Sequence, residues 1–167
     1  MTGPGPGQWR RRRWAVDGAL REYDLPLLAG LARGDGLPEL ARIHGLPKGT
    51  TDHRLVRLRG RIEARTSAHA VAIAYQRGWM AGLRPEPLPG ELSARQLHVL
   101  AAIAEGHGTL STAALLGLSR HTVTTHLRHI YTTLGVQTSG APRCHAVALA
   151  HQHGLLPLPD PDPGRAG

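Results

Sequence analysis

Eleven histidines and one cysteine are the side chains of this chain best suited to chemistry, and their placement is uneven. Eight histidines lie after residue 90: His121, His126 and His129 are close together, and His145, His151 and His153 lie near Cys144. On a helix, His126 and His129 share a face and can reach one ion. A structural zinc site needs about four Cys or His ligands at regular spacing, and that pattern is missing, so no metal and no other cofactor is expected. Ser, His and Asp also occur, without the nucleophile elbow, phosphate loop or paired carboxylates that would turn them into a catalytic set. No catalytic residue is assigned, and the chain reads as a non-enzyme. Histidine gains charge on mild acidification, around a pKa of about 6.5, so the second half is expected to bind polyanions more tightly at lower pH. Cys144 reads as a packing thiol, and a lone cysteine forms no intramolecular disulfide.

The second chemical signal is positive charge. The 167 residues carry a formal net charge of +8, and Lys48 is the only lysine, so the charge is almost all arginine. Residues 1–90 hold 15 basic against 8 acidic side chains, or +7, and the remainder 5 against 4, or +1. Such a surface favours polyanions. The run Arg10, Arg11, Arg12, Arg13 between Trp9 and Trp14 is either a DNA-contacting arm or a solvated tail, with the tryptophans packing on the first folded block. No stretch of 18 apolar residues and no apolar segment after the basic run suggests a membrane span or leader, so a cytoplasmic, nucleoid-associated protein is expected.

These residues must be positioned by elements, and the elements repeat. A shift of 72 lays the stretch 25–34 on 97–106, Gly45-Leu46 on Gly117-Leu118, Thr50 on Thr122 and Leu55 on Leu127. A four-residue insertion comes next, after which a shift of 76 lays 69–78 on 145–154. Aromatics are scarce and Phe is absent, so packing rests on Leu, Ile, Val and Ala, which suits short helices. In the second block Ser93 and Gln96 form a capping box for a helix over 94–105 that Gly106 ends. A short helix near 111–116 stops at Gly117. Ser119 then caps a third helix whose Val123, Leu127, Ile130 and Leu134 share one face, with Gly135 at its end. A fourth helix is expected over 144–153.

A short helix, a tight turn and a longer helix with a free face make a helix-turn-helix. The fold class is therefore all-α, with two tandem four-helix helix-turn-helix domains, each with a small core, joined by a short Pro-containing linker. The expected boundaries are a basic tail at 1–16, the first domain at 17–82, the linker at 83–90, the second domain at 91–157 and a Pro-rich disordered tail at 158–167.

Leu92-Ser93-Ala94-Arg95-Gln96-Leu97, Ala104-Glu105-Gly106, Leu116-Gly117-Leu118-Ser119, Thr122-Val123, Leu134-Gly135-Val136 and Ala146-Val147-Ala148 resemble the four-helix DNA-binding domain of LuxR/FixJ-type regulators. The resemblance implies that the third helix enters the major groove of double-stranded DNA and that the fourth makes a dimer contact. It places base and phosphate contacts on Thr124, Thr125 and Arg128, with Arg120, His121 and Thr122 near the backbone. The family's usual receiver or ligand-sensing domain is not recognisable, and no small-molecule ligand is expected.

The first block keeps the frame with different chemistry. Pro47 replaces the capping serine, Gly60 interrupts the third helix, and Asp52, which would face phosphate unfavourably, His53 and Val56 take the contact positions. Its candidate DNA contacts are Lys48, Thr50 and His53, together with a basic stripe of Arg54, Arg57 and Arg61. Two functions are open at this point. One is a transcription regulator acting as an intramolecular pseudo-dimer or a homodimer. The other is a protein interaction module that keeps the fold and modulates another regulator.

Overall fold

The computed structural model describes residues 20–157, and among them every regular element is helical. The run Arg10 to Arg13, both flanking tryptophans and the 158–167 segment lie outside the described residues. The helices are α1 (Asp24–Ala32), α2 (Leu37–His44), α3 (Lys48–Arg61), α4 (Ser67–Gln76), α5 (Ala94–Ala104), α6 (Thr109–Leu116), α7 (Arg120–Leu134) and α8 (Pro142–Gln152).

Local chemistry sets these boundaries. Gly45, Gly117 and Gly135 end α2, α6 and α7 in the left-handed conformation, which an L side chain adopts only with strain. Ser93 and Gln96 form the expected reciprocal capping box on α5. Two helices begin two residues before their expected starts. α6 starts at Thr109 because Gly108 supplies an extended N-cap, and α8 starts at Pro142, whose fixed φ and missing N–H suit a first turn.

The buried apolar side chains of both halves form one continuous core instead of two small ones. α4 lies along α8, α1 also touches α8, and α5 also touches α4. The exchange is reciprocal. Gly34 after α1 faces His145 on α8, so that a Cβ there would come within 3.0 Å of the imidazole. Gly106 after α5 faces His69 on α4 at 2.9 Å in the same sense.

Polar bonds lock the same seam. The Tyr75 ring stacks on His151 with centroids 5.6 Å apart, and Gln152 donates to the Tyr75 hydroxyl at 2.8 Å. The stretch expected to be a linker is anchored at Glu86. Its N–H donates to Gln152 Oε1 at 2.9 Å, its carboxylate accepts from His145 Nε2 at 2.9 Å, and its carbonyl accepts from His153 Nε2 at 2.6 Å.

Candidate nucleic-acid interface

Helix α7 owes its orientation to one apolar stripe. Val123, Leu127, Ile130 and Leu134 are buried, which turns Arg120, His121, Thr124, Arg128 and His129 to solvent and leaves Thr122, Thr125 and His126 half-buried. α6 packs across it through buried Thr112 and Ala113. The result is a short helix, a left-handed glycine and a longer helix with an open polar face.

The hydroxyls on that face are unequal. Thr122 is tied to the cap: its N–H donates to Ser119 Oγ at 3.0 Å, and the two hydroxyls share a hydrogen bond at 2.8 Å. Thr124 donates back to the Arg120 carbonyl at 3.0 Å, which leaves its oxygen lone pairs and methyl group facing out. Arg120 and Arg128 are exposed, and α7 contains no acidic residue. With the partial positive charge of the helix N-terminus, that face suits phosphate and base edges.

Helix α3 presents a different surface. Lys48, Thr50, His53, Val56 and Arg57 are exposed. Pro47 gives no side-chain cap, and buried Thr51 bonds the Pro47 carbonyl instead at 3.2 Å. The expected basic stripe is divided. Arg61 turns inward to pair with Asp24, a fully buried carboxylate that also accepts from Arg21 N–H at 2.6 Å. Without that guanidinium a buried charge would stand uncompensated. The Arg54 guanidinium lies 4.3 Å from the Tyr23 ring centroid. Arg57 alone of the three stays exposed. Asp52 lines a cleft shared with Leu55 and Arg59.

His126 and His129 meet no group of three or more His, Cys, Asp or Glu side chains able to hold a metal among the described residues. Burial holds the imidazoles of His151, His69 and His44 below the ordinary histidine pKa. Burial also pushes the Cys144 thiol up to about 12, which keeps it protonated and unreactive. Sequence reasoning missed the Asp24–Arg61 pair, the Glu86 anchor and the Tyr75–His151 stack. Each joins residues at least 37 positions apart, and no local pattern marks them.

The segment from α5 to the first half of α8 is thus a helix-turn-helix unit. Residues 90–147 match the family described as bacterial regulatory proteins, luxR family, and form a helix-turn-helix domain of that family. Over 67 residues, 40% of this chain, it is 45% identical to a probable transcriptional regulatory protein, SgaR, of Hyphomicrobium methylovorum. Over the same length it is 40% identical to the HTH-type transcriptional activator RamA of Corynebacterium glutamicum. The matched segments are 29% and 22% of those proteins, so the chain spans less than a third of the curated relatives it matches. No solved structure matches the chain. None of the described helices is long and apolar enough to cross a membrane.

Proposed function

We propose that this chain is a DNA-binding transcription regulator in which α7 enters the major groove and contacts DNA through Arg120, His121, Thr124, Thr125 and Arg128. The observation that carries this reading is the open face of α7, basic and free of carboxylates, inside the segment that matches the luxR family. Both matched relatives are named as transcriptional regulators, which agrees with it.

The first four helices are, on this reading, a divergent copy of the same unit. The sequence offsets, the matching helix order and the reciprocal approach of Gly34 to His145 and Gly106 to His69 support that view. The two copies make an intramolecular pseudo-dimer through α4 and α8. Helix α3 then grips phosphate through Lys48 and Arg57, with Arg54 held against Tyr23 beside them.

Fluorescence anisotropy against duplexes selected from a random pool tests the reading. Arg128→Ala should cost about 1–3 kcal/mol on the selected duplex and relax its preference at one base pair. Arg57→Ala should weaken all duplexes alike and reduce the salt slope by about one. If the full chain selects no sequence and shows no salt-dependent affinity, the interaction-module reading takes over. Leu110 and Leu115, large apolar residues left exposed on α6, would be its contact surface.

A further inference from the structure

A cleft of about 410 Å³ opens between the two halves. Leu31, Leu55, Ala68, Ile103 and buried Cys144 give it apolar walls, and Arg59 and Arg143 line it from opposite halves. We infer that this cleft binds a small amphipathic organic anion, a compact apolar body carrying one carboxylate, held by Arg59 on α3 and Arg143 on α8.

Volume, lining and charge all agree with such a ligand. The volume lies within the range of roughly 300–1,000 Å³ typical of small-molecule sites, and apolar walls with a few convergent polar groups are their usual construction. Arg143 donates to Thr109 Oγ1 at 2.7 Å and also bonds the Tyr131 side chain, two uncharged partners that hold the guanidinium without cancelling its charge. Arg59 has no carboxylate partner among the described residues. Both arginines line the same cleft as Cys144. Asp52, the acidic residue of the lining, is exposed, and His107, Thr66 and Ser67 add polar edges.

Two arginines lining one half-apolar hollow supply the planar, multi-donor cations that suit a carboxylate. A bare inorganic anion would leave the apolar walls unfilled. The site is built from both halves: Leu31 and Ile103 are equivalent positions in the two blocks, and so are Ala68 and Cys144. Neither half completes it alone. No local sequence pattern marks this site, because its parts come together only through the packing of α4 on α8.

The test uses the full chain without DNA, so its result is independent of whether the chain reads DNA. Calorimetric titration with 3-phenylpropionate should give a dissociation constant below about 1 mM, with 3-phenylpropionamide and inorganic phosphate each about tenfold weaker or worse. Arg59→Gln and Arg143→Gln should each weaken 3-phenylpropionate about tenfold, while Arg59→Lys, which keeps the charge, should lose less. Amide nitrogen–proton shifts should move at Leu31, Ala68, Ile103 and Cys144. Circular dichroism checks that the variants fold, and a variant that does not fold leaves the decision to the other two and to the shift map. Equal binding of the acid and its amide, phosphate binding as tightly as the acid, shifts elsewhere, or no binding at millimolar acid would each overturn the inference.

Discussion

At the scale of single residues, the buried Asp24–Arg61 pair sets the polar side of α3 apart from that of α7. Gln96, 72 positions further on, caps α5 with its side chain, whereas Asp24 is fully buried and holds Arg61 in an ion pair. Removing the guanidinium leaves a carboxylate in the core with one oxygen already unpartnered. Arg61→Ala should therefore cost about 3–5 kcal/mol in urea unfolding, and Asp24→Asn/Arg61→Ala should recover part of that loss. A cost below about 1 kcal/mol for the single change would mean that the carboxylate is solvated. Titration is a second residue-scale property. His151, His69 and His44 have lowered pKa values in the folded chain, the foremost cause in each case being burial. Below a pH of about 6.5 the unfolded chain takes up protons that the folded chain resists, so stability falls as the pH drops through that window. Glu39, held low by its hydrogen bond from Arg42, titrates below the window and leaves it unaffected. The melting temperature should fall between pH 7.5 and 5.5, and His151→Phe, which keeps the ring on Tyr75, should reduce the drop. A melting temperature that rises on acidification would contradict this. It would also favour the tighter acid-range DNA binding that the histidine-rich second half suggests, because that effect needs a folded chain.

At the scale of elements, α7 was legible from sequence and α3 only in part, for a physical reason. α7 carries a capping serine, a four-residue stripe at helical spacing and a terminal glycine, three local signals that tertiary packing leaves in place. In α3 the same apolar frame survives in Leu55, Leu58 and Ile62, yet the polar face depends on partners from elsewhere: Tyr23 for Arg54, Asp24 for Arg61 and the cleft for Asp52. A stripe of arginines along a helix says which side chains are adjacent and nothing about which of them the rest of the chain will claim. α3 also carries an avoidable weakness. Gly60 has no positive φ, and a Cβ built there meets nothing within 4 Å. Gly60→Ala should stabilise the chain by about 0.5–1 kcal/mol, mainly by restricting the unfolded state, and chemical denaturation measures it. If the gain appears and DNA affinity is unchanged, the glycine has no part in contact. A loss of affinity at unchanged or higher stability would place the DNA backbone close to that turn of α3.

At the scale of the whole molecule, the two halves behave as one body because α8 is buried on every side. Cys144 and the unbroken run Ala146 to Ala150 are covered, a pattern that amphipathic surface helices do not show. Part of the cover comes from α5 and α7, and the rest from α1 and α4 across the seam. The alanines of α4 and α8 allow close approach there, and the stack of Tyr75 on His151 with the bonds of Gln152 and Glu86 closes its edge. A chain built this way should unfold in one transition, with fluorescence and far-ultraviolet circular dichroism coincident. It also removes from solvent the faces through which a second copy would pair by the fourth helix, so the full chain should remain monomeric in analytical ultracentrifugation. The decisive comparison is an excised second half spanning 83–157. There α8 loses α1 and α4 and exposes a strip of alanine, valine and leucine. The fragment should dimerise through that strip or lose about half or more of its stability per residue. A stable, monomeric fragment would show that α8 needs no partner, and the contact between the two halves would then be a matter of tethering alone.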